Sequence, residues 1–417
     1  MDIDVVLIVV GAAVLVLGLL SQLLKRLFVS VALASLALGV VLGPEALAVL
    51  DPVAIDDARH LLKELTRVGL AISLTAIGLQ VTGEDIKANL APAGLLLSFG
   101  MAGMWLMTSL GAGLLLDLPL GVALLLGGVL TPTDPVVASA LVTGKLAEAN
   151  LPRWLRRTVQ IESGANDGLA VVFVLVPALV LTESAAGPLS LAGEIGKEVG
   201  LAVAIALPLG YLAGKGVNTA NRWQAVEAAH VANLGVGLGL LALGSVHLLG
   251  GSGVLAAFVS ALVFSLVLEE KLATRLEHLQ DTVEKLFIPP IFVLFGVVLP
   301  WSEWTSLGWA GVVFALWVLL LRRPPVVPLV LAWSVDRRSS AFLSWFGPLG
   351  AAAIYYSLLV ERYELAQYPK LFGAATLAVT ASIVVQSVTA TPGVRRYARR
   401  SPLATLVAPL AHDVEER

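Results

Sequence analysis

The sequence predicts an all-α polytopic membrane protein with about 13 transmembrane helices. Composition is the first reason. Of the 417 residues, 58% are hydrophobic and only 14% are charged, whereas soluble domains carry about 25% charge. Mean hydropathy is +0.89. The second reason is run length: long apolar stretches such as Ile3 to Leu20 and Leu95 to Leu116 match the roughly 20 residues a helix needs to cross hydrocarbon. The third is periodicity, because the runs do not alternate apolar and polar residues as the strands of a membrane barrel would.

In chain order the expected spans lie near 3–24, 27–43, 60–81, 90–116, 119–143, 157–182, 190–216, 226–248, 251–268, 281–300, 305–333, 340–361 and 370–390. The first begins MDIDVV, with neither a basic leader nor a small-residue cleavage site, and reads as a retained helix. The second is short, and the eleventh contains Arg322 and Arg323. The fifth is interrupted by TPTDP (131–135) and the twelfth by FGPLG (346–350). Proline removes a backbone donor and breaks the helical ladder. Paired interruptions in two halves of a chain point to an inverted-repeat transporter with its site near the midplane.

Lysines and arginines set the orientation. With the N-terminus outside, the inner loops hold Lys25, Arg26, Lys87, Lys145, Arg153, Arg156, Arg157, Lys215, Arg222, Lys271, Arg275, Arg337 and Arg338, and the tail adds Arg395, Arg396, Arg399 and Arg400. The outer loops keep Arg59, Arg362 and Lys370 among many acids. An N-out, C-in topology in a cell inner (plasma) membrane is expected. The tail after Pro392 is short and is expected to hold no large regulatory domain.

Several chemistries are excluded. The chain has no cysteine, which rules out disulfides, thiolate metal sites and cysteine nucleophiles. The five histidines show no metal spacing, there is no HExxH, and no GxxxxGK[ST] supports nucleotide-driven transport. Nothing suggests nucleic-acid binding or a cofactor. Lys63 and Arg67 read as interfacial, His230 and His247 as structural, and the glycines of GVGLGL (235–240) as helix-packing contacts.

The informative residues are charges inside apolar spans. A charge at the centre of a spanning helix costs about 2.5–3.5 kcal/mol on insertion scales, yet Asp134, Glu162, Asp167 and one or both of Arg322 and Arg323 sit within such runs. In VQIESGANDGLAVVFVLV (159–176), residues four apart share a helical face. Ser163 and Asp167 form one pair, offering a hydroxyl and a carboxylate to a hard cation. Glu162 and Asn166 form the adjacent pair, suited to hold a guanidinium. At Thr133-Asp134-Pro135, carbonyls released by proline, that of Thr133 included, can face a cavity, and the Asp134 carboxylate can balance helix N-termini. In LLLRRPPVV, Pro324 and Pro325 break the helix. Arg323 is expected to be buried, while Arg322 can alternatively snorkel.

TDP in one span followed by ESxxND in the next resembles the NhaP-type sodium/proton antiporters of the monovalent cation:proton antiporter superfamily. LTRVGLAISLTAIGLQV (65–81), GGSGVLAAFVSALV (250–263), LFIPPIFVLFGVVL (286–299), the RP pair at 323–324 and FLSWFGPLG (342–350) extend the resemblance over most of the chain. It implies 13 helices in two inverted repeats and a homodimer. The dimerisation domain would comprise 1–87 and 221–304, the ion-translocation core 88–183 and 305–392, with a linker helix at 184–220 and a cytoplasmic tail at 393–417. The resemblance also implies Asp167 as carrier of cation and proton, with Asp134, Ser163 and the Thr133 carbonyl completing a Na+ site. Glu162 would reach the site or pair with Arg323 in preference to Arg322, and the Asn166-Asp167 pair is similar to the electroneutral branch. Where many relatives read GPRG, this chain reads GPLG, with Leu349 in the arginine position; altered balance of the helix dipoles, ion preference and pH dependence are expected. The implied function is exchange of a monovalent cation, Na+ before Li+ or K+, for protons. A cation channel or uniporter is the alternative; an intramembrane enzyme lacks a nucleophile–base pair, and a scaffold lacks a reason for broken helices.

Overall fold

The computed structural model describes residues 3–27, 29–50, 58–134, 137, 144–182, 187–225, 227, 230–273 and 279–399. Pro135, Arg275 and the tail from Arg400 lie outside them. The described residues are helical and contain no strand. Among the described residues six helices are long and apolar enough to cross a membrane, and shorter apolar helices accompany them.

Three helices open the chain: α1 (Ile3–Arg26), α2 (Val31–Leu42) and α3 (Ala58–Gln80). Ser30 caps α2 by accepting a hydrogen bond from the Leu33 amide at 3.1 Å. Next come α4 (Gly83–Leu116) and α5 (Leu120–Val129), then the short α6 (Gly144–Asn150) and the long α7 (Arg153–Leu181). They are followed by α8 (Pro188–Arg222), α9 (Val231–Leu248), α10 (Gly253–Val267) and α11 (Leu279–Val297). The last quarter holds α12 (Trp301–Trp317, continued by a π-type turn over Val318–Arg322), α13 (Arg337–Trp345), α14 (Ala351–Leu359) and α15 (Tyr368–Arg399).

Several boundaries differ from the sequence expectation, and at α4 the reason is local. α4 begins at Gly83 rather than near residue 90, because Thr82 and Asp85 form a reciprocal capping box. Its polar first turns are then tied to α7: Arg153 donates to both Asp85 oxygens at 3.1 and 3.2 Å, and the Thr158 hydroxyl donates to Asn89 at 2.8 Å. α15 runs on to Arg399, past Pro392. The eleventh expected span stops being α-helical at the π-type turn, and a short helix (Val326–Val330) resumes after the two prolines.

Packing sorts the helices around a shared interior. α3 packs on α10, α2 on α11, α8 on α10, and α5 on both α4 and α7. Gly235 and Gly239, one turn apart on α9, lie against Leu79 and Thr75 of α3, so closely that an added Cβ at either would overlap the α3 side chain. That face explains GVGLGL as a contact surface. The main apolar core joins Leu62 and Leu74 of α3, Met104 of α4, Phe292 and Phe295 of α11, Tyr356 of α14 and Phe372 of α15. Within this interior, the ends of α5 and α13 and the start of α14 meet.

Candidate cation site at the helix crossing

Both interrupted helices stop where the sequence places their breaks. α5 finishes with the Leu130 amide bonded to the Leu126 carbonyl at 3.1 Å, after which residues 131–134 are non-helical. α13 ends at Trp345, residues 346–350 are non-helical, and α14 starts at Ala351. The two non-helical pieces meet in contact: the Asp134 amide donates to the Pro348 carbonyl at 2.7 Å. The Asp134 carboxylate accepts a hydrogen bond from the Ala351 amide at the first turn of α14, and another from the Val137 amide at 3.4 Å. A carboxylate there satisfies an orphan amide and meets the positive end of the helix. A Cβ on Gly350 would overlap that carboxylate. Gly350→Ala is therefore expected to destabilise the protein by about 1–3 kcal/mol, as overpacking does, seen as a lower melting temperature in detergent; an unchanged melting curve would contradict the close approach.

The C-termini of α5 and α13 leave carbonyls without helical partners, and two arginines meet them. α12 carries Arg322 and Arg323 into the interior, each 2% exposed. Arg322 Nη1 donates to the carbonyls of Leu130 (2.8 Å), Thr131 (3.3 Å) and Pro132 (3.4 Å), and its Nη2 to the carbonyl of Gly347. The snorkelling alternative for Arg322 is thereby corrected: the carbonyl ends of both broken helices hold it inside. Arg323 Nε donates to the Leu343 carbonyl at 2.8 Å, and its two terminal nitrogens grip the Glu162 carboxylate at 2.8 and 3.0 Å. Glu162 thus pairs with Arg323. Leu349 is buried in the apolar core and its amide donates to Ser382 Oγ at 2.9 Å. The positive charge facing these helix ends comes from Arg322 and Arg323 on α12.

Further hydrogen bonds organise α7 against the first break. Asn166 Nδ2 donates to Thr133 Oγ1 at 2.7 Å and to Glu162 Oε1 at 3.1 Å, and its Oδ1 accepts from the Thr133 amide at 3.2 Å. The Thr133 hydroxyl lies 3.1 Å from Ser163 Oγ and 3.5 Å from Glu162 Oε1. Asp167 differs from these neighbours. It is fully buried, and both carboxylate oxygens lack a hydrogen-bond partner among the described residues. Its backbone carbonyl accepts the Tyr356 hydroxyl at 2.6 Å.

All eight residues singled out from the sequence, Thr133, Asp134, Glu162, Ser163, Asn166, Asp167, Arg322 and Arg323, are buried. Sequence reasoning missed Tyr356, Ser382 and Gly350. A tyrosine or serine in an apolar helix is too common to stand out, although the Ser382 and Gln386 pair, four apart on α15, is a readable polar stripe. A cavity of about 110 Å³ approaches from the α14 side, lined among others by Val171, Tyr356, Glu198 and His247.

Helices ending against each other around buried carboxylates, in a bundle of apolar helices, point to a class: multi-pass membrane transporters. The comparisons agree. Residues 11–396 match the family described as sodium/hydrogen exchanger, transmembrane, and the chain belongs to that family, a family of transporters and not of enzymes. It is similar to a Na(+)/H(+) antiporter of Schizosaccharomyces pombe, 27% identical over 388 residues, covering 87% of this chain and 81% of the relative. It is likewise similar to Na(+)/H(+) antiporter 2 of Zygosaccharomyces rouxii, 24% identical over 372 residues, covering 84% of this chain and 45% of that relative. K(+)/H(+) antiporter NhaP2 of Shewanella oneidensis is 27% identical over 386 residues, 90% of this chain and 64% of the relative. The chain therefore spans under half the length of the Zygosaccharomyces relative. Among solved structures, the sodium proton antiporter MjNhaP1 from Methanocaldococcus jannaschii at pH 8 shares the fold, with a TM-score of 0.79 at 20% identity over 95% of this chain and 99% of that one.

Proposed function

We propose that the protein exchanges a monovalent cation, Na+ before Li+ or K+, for protons at Asp167, with alternating access from the two sides of the membrane. The observation that carries this reading is that both buried Asp167 oxygens lack a hydrogen-bond partner among the described residues. A charge without a partner is costly in such a place, and either a proton or a metal cation removes the cost. The two compete for one carboxylate, and competition combined with alternating exposure makes exchange obligatory. The Ser163 hydroxyl, the Asp134 carboxylate and the Thr133 carbonyl supply further hard oxygen ligands for Na+.

The surroundings support one-for-one, electroneutral exchange. Glu162 is neutralised by Arg323, and Asp134 is held at the start of α14. Asp167 is then the carboxylate left to alternate between proton and cation. On this reading Glu162 positions Thr133 and Asn166 and does not ligate the ion. The domain division given above, the inverted repeats, the homodimer and the N-out, C-in orientation in an inner membrane belong to the same proposal. In that orientation the cavity beside Val171 and Tyr356 is the outer approach to Asp167.

Reconstituted liposomes with an internal pH dye test the reading. A step of Na+, Li+ or K+ should drive proton movement that reverses with the cation gradient and generates no membrane potential. Cation flux that proceeds without proton movement would replace exchange with a channel or uniporter.

A further inference from the structure

We infer that a cleft between the start of α13 and the end of α15 binds an anionic phospholipid. The cleft encloses about 650 Å³. Its floor is apolar and aromatic: Phe342 and Phe346 are buried, with ring centroids 4.7 Å apart, and Tyr397 meets Phe342 edge-on at 5.2 Å. Its rim is basic. Arg337 and Arg396, from different helices, are exposed there, and the Arg338 guanidinium lies over the Tyr397 ring at 3.9 Å. Among the described residues no acidic side chain lines the cleft. The nearby Asp336 is engaged by the α13 backbone, accepting from the Arg338 and Ser339 amides at 3.0 Å each.

The position of the cleft selects the ligand. α15 has 32 residues, a length of about 48 Å against roughly 30 Å of hydrocarbon. The turns around Pro392 and Arg396 therefore lie at the membrane boundary, on the side where the basic residues collect. An apolar floor with planar cationic groups above it matches a phosphodiester headgroup whose acyl chains enter the floor. Guanidinium groups bind phosphate through paired hydrogen bonds, and basic pockets between spanning helices on the inner side suit anionic headgroups.

The test uses the full chain in neutral detergent, with lipid retention read by native mass spectrometry. The wild-type protein should retain dioleoylphosphatidylglycerol over dioleoylphosphatidylcholine. The double variant Arg337→Gln/Arg396→Gln should lose that preference roughly tenfold or more. The control Arg395→Gln/Arg399→Gln removes two charges that do not line the cleft and should keep it. Equal retention of phosphatidylglycerol by wild type and the first variant would overturn the inference. So would equal losses in both variants, which would mean diffuse attraction to a basic helix end. Displacement of the lipid by inorganic phosphate alone would overturn it in favour of a simple anion site. Displacement by a peptide of residues 401–417 would overturn it in favour of the chain's own tail.

Discussion

Asp167→Asn is expected to reduce cation-driven proton movement to the level of empty liposomes while leaving the protein folded. The substitution keeps the size of the side chain and removes its charge. The Asp167 oxygens make no hydrogen bond among the described residues, so no partner is orphaned and the melting temperature should not fall. A second reading of the same variant separates ion binding from general damage. A cation that binds the folded protein stabilises it by about 2.7 kcal/mol when present at 100 times its dissociation constant. Wild-type protein should therefore melt higher in NaCl than in choline chloride, and Asp167→Asn should melt alike in both. Retained exchange, or retained stabilisation by Na+, would show that the cation binds elsewhere.

Arg323→Met is expected to be the most destabilising single change at the crossing. It strips the partner from a Glu162 that is 1% exposed, and breaking a buried pair in this way costs about 3–5 kcal/mol. Restoring neutrality should recover most of that loss, so Arg323→Met/Glu162→Gln should melt closer to wild type than Arg323→Met does. Glu162→Gln alone should cost less than Arg323→Met, because its amide oxygen can still accept from the Arg323 guanidinium, which also keeps the Leu343 carbonyl. Transport sharpens the comparison. If Glu162 positions its neighbours and does not carry the ion, the double variant keeps measurable exchange. Additive losses in the double variant would refute the pairing as the reason Glu162 is tolerated.

Much of this site is legible in the sequence because charge inside an apolar run cannot be accidental. Asp134, Glu162, Asp167, Arg322 and Arg323 stand out on that ground, and helical spacing adds Ser163 and Asn166. The division of labour between the two arginines is not legible, since the partners of Arg322 are backbone carbonyls and any residue type supplies those. Gly350 is also silent: glycine after Pro348-Leu349 reads as a turn, whereas its use is to admit the Asp134 carboxylate. For the fold, hydropathy pointed to apolar helices, and the described residues are helical, but it blurred the start of α4. There Thr82 and Asp85 decide the boundary through hydrogen bonds that a hydropathy window averages away. Leu349 shows the converse case. A missing arginine suggested unbalanced helix ends, and the structure meets those ends with cations from another helix.

The stitching of the crossing has a mechanical consequence. Arg322 grips carbonyls on both sides of it, and Asp134 bonds the opposite segment through its amide and the start of α14 through its carboxylate. Sliding one interrupted helix past the other would break all these contacts at once. On the proposed exchange mechanism, the change that turns Asp167 from one face of the membrane to the other would carry the two crossing segments as a single slab. The give would then come at the surfaces of that slab, where α7 meets α3 and α10 and α14 meets α3.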